Sequence, residues 1–245
     1  MHELLSVFSL IDSESMISII IPAYNEEKRI GHTIKRLAGC FPGSEMIVVS
    51  DGTDRTAETA GATDTGDASF RVLSFGRRVG KWGSICRGIQ EASGDPICFI
   101  DTDLSVSPEE ARRLLQLLEQ GRHDVVISSR YVRDANMVRR QPLSRVMLSR
   151  VFNLIASIPF LMRFRDTQCG FKAFRSAPAK AVSGMMRCRG FEGDVEFLWL
   201  CRRQGARIRE EPVEWTDSGS SSLRFYHLFT MLLGLVKARL YWLLK

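Results

Sequence analysis

The sequence predicts an α/β protein: a mainly parallel sheet with helices on both faces, followed by amphipathic helices toward the C-terminal end. Two observations predict it. Short apolar runs of strand length alternate with helical patterns through residues 17–128, as in successive βαβ units. Acidic, serine or tyrosine-containing segments follow the strand-like runs, where a parallel sheet presents its ligands.

Taken in order, Ile17–Ile21 reads as a strand ended by Pro22, and Glu26–Leu37 as a helix. Met46–Ser50 is a second strand, followed by the turn Asp51-Gly52-Thr53 and a short helix that Asp54 caps. Phe70–Ser74 is a weaker strand. Lys81–Ala92 reads as a helix closed by Ser93-Gly94, and Ile97–Ile100 as the next strand. Ser107 as N-cap and Pro108 at N1 open a helix to Gln120, and Asp124–Ser128 is a strand. Beyond residue 140, arginines mix with apolar residues in Leu143–Met162, and a loop is expected at Asp166–Phe171. Helices at Ala177–Met186 and Asp194–Arg203, a strand at Ile208–Val213 and a long helix over Leu223–Leu244 complete the reading.

The 245 residues suffice for a sizeable core without covalent staples. Six cysteines with no CxxC pair argue against a disulfide framework or a zinc site and fit a reducing environment. Four histidines, at 2, 32, 123 and 227, leave little for a His-based metal centre or triad. The first 110 residues carry 10 basic and 17 acidic side chains, a net −7. The remainder carries 24 basic and 11 acidic, a net +13. An acidic front suits a cation site; a basic back suits phosphate groups or an anionic membrane. The start lacks a positive n-region, so no secretory signal is expected, and no apolar run reaches the ~18 residues of a membrane span.

Asp101-Thr102-Asp103, directly after the strand ICFI, is the sharpest feature. Two carboxylates this close repel unless a cation or a set of donors lies between them. With no Cys or His nearby, the hard oxygens point to Mg²⁺ or Mn²⁺ completed by a substrate phosphate. The same tripeptide also occurs as a solvated capping turn; its place at a strand end favours the cation. Asp51 ends a strand where it could accept from a base or ribose. Gly76–Gly83 (GRRVGKWG) brings two arginines and Lys81 to a helix N-terminus, an anion-binding arrangement without the P-loop spacing.

Together the segments IIIPAYNEEKRI, IVVSDGTDRT, GKWGSICRGIQEASGD, FIDTDLSVSPEE, VVISSRY and DTQCGFKAFR resemble, in order over about residues 17–176, family 2 glycosyltransferases of the GT-A fold. The match is to the polyprenyl-phosphate (dolichyl-phosphate) sugar synthases, and Asp166–Lys172 resembles their glucosyltransferase branch. The resemblance implies that Pro22, Tyr24 and Glu26 border a nucleotide and that Asp51 contacts its base. Lys81 would lie beside the nucleotide or its phosphates, and Asp101 and Asp103 would hold Mg²⁺ or Mn²⁺ and the donor diphosphate. Arg130 would bind a donor or acceptor phosphate, Arg145 a second one, and Gln168 would line the sugar or acceptor pocket. In mannose-transferring relatives the DxD is followed by Leu-Gln; here Leu104 is followed by Ser105, which weakens the case for a mannose donor.

The implied reaction moves a hexose, from UDP-glucose or a similar nucleotide sugar with GDP-mannose as the other donor, to a polyprenyl monophosphate. It inverts the anomeric carbon. Transfer to a saccharide hydroxyl is the alternative within the fold, with Asp166 and Asp194 as candidate bases. A nucleotidyltransferase is the alternative outside it, disfavoured by the lack of a glycine-rich, lysine-ended loop near residue 25. Residues 1–222 are expected to form the catalytic domain and 223–245 an amphipathic, membrane-associating helix at the cytoplasmic face, its central charges favouring lying flat over crossing, with a core or oligomer helix as the alternative. No nucleic-acid partner is expected, and the sequence leaves the oligomeric state open.

Overall fold

The computed structural model describes residues 16–139, 146, 150, 153, 155, 156, 160–217, 219 and 225–245, with side chains omitted at 139 and 225–228. In chain order the elements are β1 (Ser18–Ala23), α1 (Ile30–Cys40), β2 (Glu45–Ser50), α2 (Thr56–Gly61), β3 (Ser69–Ser74), α3 (Lys81–Glu91), β4 (Ile97–Ile100) and α4 (Pro108–Glu119). They continue as β5 (Val125–Ser129), β6 (Asn136–Arg139), β7 (Phe171–Phe174), α5 (Ser176–Met185), α6 (Gly193–Arg203), β8 (Ile208–Pro212), β9 (Glu214–Thr216) and α7 (Phe225–Leu243).

Seven strands form one sheet in the order β3-β2-β1-β4-β7-β5-β8, and β6 pairs with β9 in a small second sheet. All ladders of the large sheet are parallel except those of β7, which runs antiparallel between β4 and β5. Residues of β1 alternate between faces, as a pleated strand requires. Ile19 and Ile21 join the core under α1 and α4, with Ile34, Leu37, Leu114 and Leu118. Ile20 joins the other core, under α3, α5, α6 and α7, with Trp82, Ile85, Phe197 and Trp242. Helix α3 crosses β1 so closely that a Cβ on Gly88 would come within 2.5 Å of Ile20. The Trp82 ring stands edge-on to Phe99 at 5.6 Å and lies 4.7 Å from Phe197, locking α3 to the sheet and to α6.

Three expectations are corrected. Pro22 does not end β1: it pairs with Val49 and the strand runs on to Ala23. The ladder with β4 stops at Ile20, so beyond it β1 has one neighbour, where a missing N–H is tolerated. The first helix starts at Ile30 rather than Glu26, because residues 24–29 form a polar turn at the sheet rim. Phe171 is strand, not loop: FKAF is fully buried and fills the centre of the sheet. Its four residues carry no alternation because both sides of the strand are covered. Ser107 caps α4 as expected, accepting from the Glu110 amide at 3.2 Å. All six cysteines are free thiols.

Candidate active site

The carboxyl ends of β1, β2, β3 and β4 converge on one rim. There the chain after β1 turns through Asn25 in the left-handed region (φ 56°). The Asn25 carbonyl accepts from the Thr53 amide at 2.9 Å, tying this turn to the one after β2. Gly52 is required at that meeting, since a Cβ there would lie 2.5 Å from the Asn25 oxygen. Asp54 accepts from the Thr56 amide at 3.0 Å and from the Glu27 amide at 3.1 Å, so it caps α2 and clips the first loop. Asp51 is buried, and its Oδ2 accepts from the amides of Val79 (3.0 Å) and Gly80 (2.8 Å). It thereby holds the GRRVGK loop. Gly80 (φ 83°) packs against the Arg189 carbonyl, which a Cβ would approach to 2.4 Å.

Lys81 emerges at the start of α3 and its Nζ lies 2.8 Å from both oxygens of Asp101, just past the end of β4. The Asp101 amide donates to the Gly170 carbonyl at 3.0 Å. Gly170 leaves room for the carboxylate, since a Cβ there would meet Asp101 Oδ2 at 2.6 Å. Leu104, at φ 48°, closes the Asp101–Leu104 turn in a conformation costly for a leucine. Asp103 accepts from the Ser105 amide at 3.0 Å.

The electrostatics of this cluster are strained. Burial works against the charge of Lys81, but Asp101, Asp194 and Asp103 outweigh it and hold the ammonium above its ordinary range. Burial pushes the Asp101 carboxyl up; Lys81 opposes, yet Asp103 and Asp194 add to the rise. Glu26 is also raised, by burial first and then by Asp103 and Asp101, against the pull of Arg29 at 2.7 Å and a Thr102 hydrogen bond. Three carboxylates thus crowd one lysine. Among the described residues no three His, Cys, Asp or Glu side chains are grouped as a metal site by themselves. Asp101 and Asp103 are hard oxygen donors that fit Mg²⁺ or Mn²⁺ only if a phosphate-bearing substrate and water supply the remaining ligands.

Tyr24 is exposed at the rim, with the Arg78 guanidinium 4.1 Å over its ring. Pro22 lies inside β1, just before it. Gln168 donates to the Phe191 carbonyl at 3.2 Å, joining the loop before β7 to the one before α6. Phe191 in turn sits 5.8 Å from Lys81 Nζ. Arg130 lies past the end of β5, separated from Asp101 by β7. It makes a buried fork to Asp166, with Nε–Oδ2 at 2.7 Å and a terminal nitrogen at 2.9 Å from Oδ1. Burial opposes the Asp166 charge, but Arg130 holds that carboxyl below the usual range. Arg145 lies outside the described residues.

Sequence reasoning missed a second buried pair. Lys172 Nζ is 2.5 Å from Asp194 Oδ1, both side chains are 1% exposed, and Lys172 also donates to the Cys169 carbonyl at 3.0 Å. A lysine inside the apolar run FKAF was the available signal, because a fully buried lysine requires a partner. Phe191, set by its loop rather than by any motif, had none.

Carboxylates, a largely buried lysine and glycine-shaped loops thus gather at the carboxyl rim of a mostly parallel sheet, where α/β enzymes bind their ligands. Residues 18–183 match glycosyl transferase family 2, and the chain belongs to that family. It is 30% identical to a dolichyl-phosphate beta-glucosyltransferase of Drosophila melanogaster, covering 88% of this chain and 72% of that one. It is also 30% identical to an undecaprenyl-phosphate mannosyltransferase of Micrococcus luteus, covering 81% and 82%. The glycosyltransferase AglD of Haloferax volcanii matches at 30% identity over 84% of this chain, which spans about a third (34%) of that longer relative. The fold matches glucosyl-3-phosphoglycerate synthase of Mycobacterium tuberculosis, crystallised with Mn²⁺, UDP-glucose and phosphoglyceric acid. The TM-score is 0.70 at 23% identity, with 93% of this chain and 79% of that one covered. The chain is therefore an enzyme of the glycosyltransferase class.

Proposed function

We propose that the protein transfers a hexose from a nucleotide sugar to the phosphate of a polyprenyl (dolichyl) monophosphate at the cytoplasmic face of a membrane. UDP-glucose is the first donor to try and GDP-mannose the second. One observation carries the choice of acceptor. The two carboxylates that could act as base toward a hydroxyl, Asp166 and Asp194, are each locked in a buried ion pair, with Arg130 and Lys172. A phosphate monoester is already anionic and needs no base. The dolichyl- and undecaprenyl-phosphate relatives support the same acceptor class.

In this reading an acceptor phosphate oxygen attacks the anomeric carbon. The bond from that carbon to the donor diphosphate breaks on the opposite face, and the nucleoside diphosphate leaves with the electron pair. Lys81 places a positive charge beside Asp101, where the diphosphate would lie. A divalent cation held by Asp101 and Asp103 would neutralise the charge developing on that leaving group. Asp51 fixes the Val79–Gly80 backbone that borders the nucleotide, and Tyr24 and Glu26 flank it from the turn after β1. Gln168 bounds the sugar side.

The test is a radiolabel assay with each donor, Mg²⁺ or Mn²⁺, and a polyprenyl phosphate in detergent. Label is expected in the organic phase as a lipid-phosphate sugar. Label that enters only a water-soluble saccharide, or release of pyrophosphate, would overturn the proposal.

A further inference from the structure

We propose that the outward face of α7 lies flat on an anionic lipid bilayer, with the loop that borders Lys81 packed on the helix's inner side. The proposal rests on the reading above for its lipid acceptor; its own observations are on α7.

This helix is apolar on two opposite faces. Met231, Leu235, Ala238 and Trp242 point inward and belong to the core shared with α3 and α6. Phe229, Leu233, Val236, Leu240 and Leu243 point outward, 44–65% exposed, and Leu244 follows at 89%. At 3.6 residues per turn the outward set forms a stripe about 80° wide over residues 229–243. Lys237 and Arg239 fall about 80° to either side of it, and Lys245 ends it. Among the described residues no helix is long and apolar enough to cross a membrane. A helix with an apolar stripe between two rows of cations suits the interface plane.

Charge selects the occupant. Residues 225–243 contain no acidic side chain. A second copy packed through the same stripe would set Lys237 and Arg239 against their own counterparts, whereas anionic headgroups neutralise both. Tyr241, half-buried near the end of the helix, has the Arg187 guanidinium 4.2 Å over its ring and Lys245 at 5.6 Å. A ring of this kind suits the headgroup level.

The inner face of α7 fixes what docking presents. Trp242 Nε1 donates to Glu196 Oε1 at 2.7 Å, and Glu196 Oε2 accepts from the amides of Arg187 (2.9 Å) and Cys188 (2.7 Å). Gly234 lets α7 approach the loop, since a Cβ there would lie 3.1 Å from Glu192. That same loop, residues 187–193, accepts the Gly83 amide through the Arg189 carbonyl at 3.0 Å and sets Phe191 beside Lys81. Laying α7 on a bilayer would therefore set the loop bordering Lys81 one helix diameter, ~10 Å, above the headgroups.

Co-sedimentation of the full chain with phosphatidylcholine vesicles, with and without phosphatidylglycerol, tests this. Binding is expected only with phosphatidylglycerol and should weaken with salt. L233Q/L240Q should weaken it about tenfold or more, and K237Q about fivefold. Both variants should melt as the parent does and transfer equally well to a short-chain, water-soluble polyprenyl phosphate without vesicles. Equal pelleting of L233Q/L240Q and parent overturns the proposal. So does a parent that ignores vesicles but forms a dimer that L233Q/L240Q abolishes, since the stripe then meets a second copy. Vesicle binding without transfer to any lipid phosphate would leave the docking face standing and remove the acceptor assignment.

Discussion

The two ends of the sheet bury acidic groups in opposite ways. At the amino end, Glu45 opens β2 with 3% exposure and is fully served by donors. Ser18 donates to it, the Ser93 amide donates at 2.7 Å and the Ser93 hydroxyl at 3.2 Å, and Arg71 reaches it at 2.5 Å. Burial alone would raise that carboxyl, but these donors outweigh it and hold it below its usual range. At the carboxyl end, Asp101 has Lys81 in contact and is still raised, by burial first and then by Asp103 and Asp194. Glu45 is a buried acid with surplus donors, which stabilises the fold; Asp101, about a third exposed, has surplus neighbours of its own sign, an arrangement that a cation or a substrate would relieve. The contrast separates structural from functional charge without reference to any motif.

Breaking the carboxyl end should have the largest effect. Asp103→Ala is expected to lower transfer by about 10³-fold, near the loss of one strong electrostatic contact to a transition state, with no fall in melting temperature. Steady-state transfer assays and a thermal melt check both halves of that statement. Breaking the amino end should do the converse. Glu45→Ala leaves Ser18 and the Ser93 amide without their acceptor and should cost about 2 kcal/mol, while activity per folded molecule stays unchanged. Chemical denaturation with a parallel activity titration would expose a drop in activity beyond the loss of folded protein.

Acid should sharpen the comparison. Glu45 and Asp166 have folded values below their unfolded ones, so their stabilisation is present above about pH 4 and is lost as pH falls through the folded values. Asp101 carries the opposite sign. Its folded value is raised, so protonation on going from neutral pH toward about pH 4 relieves repulsion and adds stability. Asp166→Asn should flatten the acid limb of a stability–pH curve, and a limb unchanged by that variant would remove Asp166 as its source. The smallest effect on stability is expected from Asp103→Asn, which keeps the shape and lifts one negative charge from Asp101. Without ligands it should stabilise the protein by about 0.5–1 kcal/mol while transfer is lost, a trade typical of sites built on repulsion. A melt below that of the parent would count against the crowding.

The alternation of apolar runs made β1 to β5 and their helices legible, because each strand in a βαβ unit is a local event bounded by its own turns. The strand β7 was not legible. Four residues without alternation, paired only to distant chain, carry no local signature beyond a lysine out of place. The rim acids Asp101 and Asp103 stood out because their order along the chain is itself the signal. The acid–base partnerships of Arg130, Asp166, Lys172 and Asp194 arise only when β7 and α6 are brought against β4 and β5. Asp54, expected to cap α2, sits one residue before the N-cap Arg55 and accepts from the first helical amide, Thr56. Asp51 has, beyond its expected neighbourhood to a base, the structural duty of holding Val79 and Gly80, which spacing alone could not reveal.

The reversed strand also sets when the enzyme comes into being. The turns after β1, β2 and β4 and the loop carrying Lys81 are all encoded before residue 105, yet the carbonyl that anchors the Asp101 amide belongs to Gly170, and β4 and β5 become sheet-mates only through the strand that follows it. A nascent chain emerging from the ribosome therefore holds the ingredients of its catalytic rim long before it can assemble them, and a product truncated ahead of Phe171 would be inert however well its first half folded.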